Sequence, residues 1–104
     1  MAFIITDNTK CGVIGYGSWA TALVHTLTKN KVHVWWHIRN EEVMESLLTE
    51  GYNAKYLSDI EFDQNYMTPT NDINEVVRNS EVILIATPSA FIKKVMADLT
   101  ESLE

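Results

Sequence analysis

Residues 12–23 read GVIGYGSWATAL, with glycines at positions 12, 15 and 17 and an apolar run directly after them. The residues leading into the glycines, KCGVIG (10–15), are short, apolar and end on glycine. They predict a buried strand over 10–14 and a tight turn over 15–17. Beyond the turn, Trp19, Leu23 and Leu27, together with Ala20 and Val24, recur at helical spacing. That predicts a helix from 18 to 29, ending near Asn30. A strand, a glycine turn and a helix in direct succession need a reason for stripping side chains from the turn. Something has to come close to the main chain there.

The pattern continues outward. KVHVWWHI (31–38) is rich in β-branched and aromatic residues and predicts a second strand. Asn40 can cap the next helix, Glu41 and Glu42 suit its positive end, and Val43, Met44, Leu47 and Leu48 line one face up to a stop at Gly51. Residues 51–66 show no clean period and read as a loop. YMTP (66–69) reads as a brief strand, with Pro69 at an edge position or at its end. Asn71 or Thr70 then caps a short helix carrying Ile73, Val76 and Val77. EVILIAT (81–87) is the strongest strand signal, and Pro88 ends it. From Ser89 onward, Phe91, Ile92, Val95, Met96 and Leu99 predict a final amphipathic helix. Alternating strands and helices define an α/β fold, a Rossmann-type parallel sheet with helices on both faces. The expectation is an incomplete sheet of about four strands in the order 3-2-1-4, with right-handed crossovers. The continuous apolar runs at 11–14 and 82–86 predict strands buried on both sides.

Composition narrows the function classes. The chain has 104 residues, 46% hydrophobic and 21% charged, which suits one small globular domain. A formal net charge of −6 argues against nucleic acid or an anionic membrane as partner. Cys11 is the single cysteine, so no internal disulfide forms and a reducing compartment fits. No apolar run approaches the roughly 18–20 residues that span a bilayer. MAFIITDNTK (1–10) has no basic start and is not a signal peptide. The expectation is a soluble, cytoplasmic protein.

The glycines fit a dinucleotide. Gly15 makes the turn out of the strand, Gly17 lets a pyrophosphate approach without a Cβ in the way, and Ala20 takes the third small position where helix packs on strand. The amides at the helix start then face the phosphates, and Ser18 adds a hydroxyl donor. The plainer alternative is an ordinary sharp strand-to-helix turn. Gly12, inside the strand, reads as a packing glycine. There is no P-loop motif. An NAD-binding chain usually carries an acid about 20 residues past the glycines, on the ribose. Residues 33–38 carry none, and Arg39 stands near that distance instead. A guanidinium binds a 2′-phosphate, so NADP is expected in preference to NAD; the alternative for Arg39 is a solvated surface cation. His37 either stacks on adenine or ends its strand. Trp19 either covers the cofactor or packs at the helix start. Cys11 reads as core, and one of the adjacent Trp35 and Trp36 must face the core. His25 and His33 show no metal-ligand spacing, so no metal site is expected. Lys93 and Lys94, Glu41–Glu42 and the acids Asp59, Glu61 and Asp63 read as solvated.

These residues resemble a known family. The glycine turn followed by Ser18, Trp19, Ala20, Thr21 and Ala22 is similar to the opening signature of the NAD(P)-dependent sn-glycerol-3-phosphate dehydrogenases, and the likeness continues through RNEEV (39–43), NAKYLSDIEF (53–62) and IATPSAF (85–91). The resemblance implies an enzyme interconverting dihydroxyacetone phosphate and sn-glycerol 3-phosphate with NADPH or NADH, supplying glycerolipid and phospholipid synthesis. It implies that Gly15, Gly17, Ser18 and Trp19 hold the pyrophosphate, that Arg39 lies at the adenosine ribose or its 2′-phosphate, and that Pro88, Ser89 and Phe91 border the nicotinamide. Ala20 replaces the family's frequent third glycine, and His37-Ile38 departs from its usual aromatic–small pair. The family's catalytic lysines are expected beyond Glu104. Residues 1–104 are therefore expected to be the N-terminal part of a dinucleotide-binding domain, inactive alone, with the substrate domain absent. A homodimer through the sheet edge or the last helix is a further expectation. The readings left open are another NADP-linked reductase, similar to ketopantoate reductases or 6-phosphogluconate dehydrogenases, and a non-catalytic nucleotide-sensing module.

Overall fold

A computed structural model describes residues 10–53, 55, 57, 59–87, 93, 94 and 97. The first strand, β1 (Cys11–Ile14), is buried along its whole length. After it come α1 (Ser18–Lys29), β2 (Val34–His37), α2 (Glu41–Glu50), β3 (Met67–Thr70), α3 (Ile73–Asn79) and β4 (Val82–Ile85). The four strands form one parallel sheet in the order β3-β2-β1-β4, as the alternating pattern requires. The register sets Ile14 beside His37 on one side and Ile85 on the other, and His37 beside Thr70. The strand exits after 14, 37 and 85 therefore lie together at one end of the sheet.

Strand alternation divides the core. Cys11 and Val13 pack with Val34, Trp36 and Met67 of the neighbouring strands and with Ala20, Val24, Val43 and Leu47 of α1 and α2. Ile14 packs with Ile73 of α3 and Ile83 on the opposite face. Both faces carry helices. Each large apolar side chain fully withdrawn from water contributes roughly 1.5–3 kcal/mol. Gly12 is the packing glycine expected: a Cβ there would sit 2.5 Å from Ser80 Oγ and 2.7 Å from Val76 Cγ1. α2 begins with Asn40 accepting from the Val43 amide at 3.0 Å and ends at Gly51 in the left-handed region, φ 79°.

Several details differ from the sequence reading. The core face of α1 is Ala20, Thr21, Val24 and Thr28, whereas Trp19 is 72% exposed. The threonines can be buried because their hydroxyls donate back along the helix, Thr28 Oγ1 to Val24 O at 2.9 Å. β2 starts at Val34, since Lys31 takes φ 63° and interrupts the extended chain before it. The cap of α3 is Asp72, which accepts from the Asn74 amide, while Thr70 Oγ1 accepts from the Asp72 amide. β4 is half-buried to exposed, with Ile85 49% exposed, because among the described residues it has a strand on one side only. The segment 51–66, read as a plain loop, places Phe62 and Asn53 fully inside. The predicted helix from Ser89 falls largely outside the described residues; Lys93 and Lys94 within it are exposed, as expected.

Gly15 has φ 126°, and a Cβ there would lie 2.5 Å from the carbonyl oxygen of Ala86. Gly15→Ala should therefore lower unfolding free energy by about 3 kcal/mol, through backbone strain and a clash with main chain. Gly12→Ala should cost about 1–2 kcal/mol, because its obstacles are side chains. Urea unfolding of both variants checks the order; equal losses would contradict it.

Candidate functional site

β1 leaves the sheet into Gly15, whose positive φ turns the chain sharply. Gly17 takes the N-cap position of α1 in extended conformation, and no side chain caps that helix. The first amide to return within the helix is Thr21 N, to Gly17 O at 2.9 Å. The amides of 18–20 precede that first bond and have no acceptor within the helix. The first turn also carries no acidic residue. A Cβ built on Gly17 would meet nothing within 4 Å, so the space over this turn is open. Uncapped amides, the positive end of a twelve-residue helix and open space together suit a bound anion.

The carbonyls of the same turn point the other way. Ile14 O accepts from Ala86 N at 2.8 Å and from Thr87 Oγ1 at 3.1 Å. Gly15 O accepts from the Trp36 indole N–H. Tyr16 O accepts from Asn53 Nδ2 at 3.0 Å, and Gly17 O from Thr21 Oγ1 at 2.7 Å. Sequence reading missed Asn53 and the Trp36 indole as parts of this arrangement. The available signal was an asparagine in a stretch otherwise without pattern, which marks a loop as readily as a brace.

The expected site residues divide as follows. Gly15, Gly17, Ser18 and Trp19 form the turn, and Ser18 and Trp19 are exposed. Trp19 therefore does not pack at the helix start. Ala20 is buried and lies against the sheet, the role its small size suggested. His37 ends β2 and is only 4% exposed. Arg39 is exposed two residues later. It lines a hollow of about 280 Å³ with Asn40, Glu41, Glu45, Leu48 and Asn71. Pro88, Ser89 and Phe91 lie outside the described residues. Among the described residues, no group of three or more His, Cys, Asp or Glu could hold a metal, and no helix is long and apolar enough to cross a membrane.

Electrostatics at the other end of the sheet are structural. Burial, with a smaller contribution from the Glu81 carboxylate, pushes the Cys11 thiol above its ordinary range. Burial and the Lys10 charge hold His33 below its usual range, against a hydrogen bond with the Asn65 backbone. His33 Nε2 lies 2.9 Å from Thr68 Oγ1, tying the residue before β2 to β3.

A parallel sheet in the order 3-2-1-4, with a glycine turn feeding an uncapped helix at the exit of its inner strand, defines a Rossmann-type nucleotide-binding unit. The sequence comparison makes the family specific. Residues 10–104 match the family described as NAD-dependent glycerol-3-phosphate dehydrogenase N-terminus, and the chain belongs to that family. Similar curated proteins include glycerol-3-phosphate dehydrogenase [NAD(P)+] of Limosilactobacillus reuteri, 36% identical over 90 residues, covering 86% of this chain and 26% of the relative. The enzyme of the same name from Maridesulfovibrio salexigens is 30% identical over 94 residues, covering 88% and 28%. The chain thus spans about a quarter of the length of these relatives. The crystal structure of glycerol-3-phosphate dehydrogenase (gpsA) from Coxiella burnetii superposes with a TM-score of 0.78 at 24% identity, over 86% of this chain and 27% of that one, which establishes the likeness of fold.

Only a thiolate attacks a disulfide reagent, and Cys11 is both buried and pushed toward the thiol. Native protein at pH 8 should react with Ellman's reagent at least about a hundredfold more slowly than protein in denaturant. Comparable rates would show that the β1 face is not closed.

Proposed function

We propose that this chain is the coenzyme-binding part of a glycerol-3-phosphate dehydrogenase, interconverting dihydroxyacetone phosphate and sn-glycerol 3-phosphate with NADPH or NADH. Membership of the family supports the reaction class. The observation that carries the binding site is the open space over Gly17 beside uncapped amides. In this reading the pyrophosphate sits on the amides of Gly17, Ser18 and Trp19, with the Ser18 hydroxyl as a further donor and the exposed Trp19 ring as a cover. The dinucleotide, when bound, supplies the hydride; the described residues hold and orient it, and we assign them no proton transfer. Residues that bind substrate and stabilise the alkoxide belong to the part of the family's length that this chain does not match, so residues 10–104 alone would not turn over. We place the protein in a reducing compartment, the cytoplasm, on the strength of its lone buried thiol.

NADP over NAD is the finer part of the proposal. Arg39 stands exposed just past β2, where a guanidinium can reach a ribose 2′-phosphate. Glu41 and Glu45 share its hollow and oppose that phosphate, so the preference should be modest.

Two variants test these assignments. Gly17 has φ −73°, which alanine adopts freely, and free space where its Cβ would go. Gly17→Ala should change stability by no more than about 0.5 kcal/mol, yet weaken NADPH and NADH binding by about tenfold or more, measured by isothermal titration. Unchanged affinity would remove the pyrophosphate from this turn. Arg39→Ala should weaken NADPH about tenfold and NADH less than about twofold; parallel losses would show that Arg39 does not read the 2′ position.

A further inference from the structure

We propose that Asn53 is a positioning residue for the glycine turn: its carboxamide, with Trp36 and Thr21, holds the turn's carbonyls inward and so fixes the direction of the amides that receive a pyrophosphate. The proposal rests on the dinucleotide reading above. Asn53 lies 37 residues from Tyr16 in sequence and is 0% exposed. Its Nδ2 donates to Tyr16 O at 3.0 Å and to Thr21 Oγ1 at 2.9 Å, and its Oδ1 accepts from Lys55 N at 3.0 Å. Both ends of the amide are therefore engaged, which fixes its orientation.

A peptide unit carries its N–H and C=O on opposite sides. Fixing the carbonyl of residue 16 therefore fixes the N–H of residue 17, and the carbonyls of 15 and 17 do the same for residues 16 and 18. The donors are distinct. Trp36 holds Gly15 O, Asn53 holds Tyr16 O, and Thr21 holds Gly17 O. Thr21 has one hydroxyl proton. Its 2.7 Å contact to Gly17 O takes that proton, leaving the 3.4 Å approach to Tyr16 O the weaker option. Asn53 is thus the stronger of these two donors to Tyr16 O, and it also supplies a proton to the oxygen of Thr21. Donors set in advance need no reordering when the anion arrives, so binding retains more of the interaction energy.

The test uses the full-length native protein with ADP-ribose, which carries the pyrophosphate, and adenosine, which does not. Asn53→Asp keeps size and the acceptor toward Lys55 N but turns an unprotonated oxygen toward Tyr16 O. At pH 8 it should weaken ADP-ribose about tenfold and adenosine less than about twofold. Burial raises the pKa of that carboxyl, so lowering the pH to 5.5 shifts it toward the protonated form, which again offers a donor. ADP-ribose affinity should then recover part of its loss. A general structural defect would not show that selective loss or that recovery. Should the Asp variant fail to fold by thermal melting, Asn53→Ser, small and uncharged, carries the same comparison at pH 8. Equal losses for the two ligands, or no loss in a folded variant, overturn the proposal. Wild-type protein that binds neither ADP-ribose nor NADH overturns the dinucleotide reading, and this inference with it.

Discussion

No side chain fits at residue 15. β1 leaves the sheet between β2 and β4, and the carbonyl of Ala86 comes so close that a Cβ would lie 2.5 Å from it. The chain must turn there with φ 126°, a conformation that favours glycine. From that constraint the rest of the site follows. Tyr16 packs against the core of α1 and α2, and Gly17 opens α1 in extended conformation. The amides of 18–20 then stand at the helix start without a side-chain cap. Strand spacing and parallel register therefore determine where α1 presents its uncapped amides, before any charged side chain is considered.

The chain's charge poses an apparent conflict, since an acidic protein of net charge −6 would be expected to repel a dinucleotide. Distance resolves it. Exposed charges further off than about 8–10 Å are largely screened at physiological ionic strength. Near the turn, the first turn of α1 carries no acid, whereas α2 opens with Glu41 and Glu42 and α3 with Glu75. Asn40 and Asp72 cap their own helices, while α1 begins with a glycine and its first amides have no side-chain cap.

Most of the architecture was legible because it rests on local pattern. The glycines, the apolar run at 11–14 and the β-branched run around Trp36 specify strand, turn, helix and strand in sequence order, and the order 3-2-1-4 follows from the fold type. Capping was legible at Asn40, where the helix pattern is strong, and displaced at the short α3, where Thr70, Asn71 and Asp72 are all competent caps. Trp19 misled because its spacing fits the apolar stripe of α1, yet the buried face is rotated onto Ala20, Thr21, Val24 and Thr28. Hydrophobicity alone does not distinguish an inward threonine from an outward tryptophan. Asn53 and the Trp36 indole were illegible for a different reason. Their role is a contact across 37 and 21 residues of sequence, which no local period encodes.

Trp36 explains why the unpatterned segment 51–66 belongs to the site. Its ring is fully buried in the core shared by α1 and α2, and it meets Phe62 edge-on with centroids 5.4 Å apart. The same indole donates to Gly15 O. Asn53, at the other end of that segment, donates to Tyr16 O. Phe62 N in turn bonds to Gly51 O at 2.8 Å, closing the segment onto the end of α2. One irregular stretch thus contacts the glycine turn both directly and through a tryptophan packed on its phenylalanine. Its described residues also bond to one another, Ile60 N to Leu57 O at 3.0 Å and Tyr66 N to Asp63 O at 3.0 Å. Packing at Phe62 and geometry at Gly15 are consequently not independent. One side chain, Trp36, carries both the contact with Phe62 and the hydrogen bond to Gly15 O.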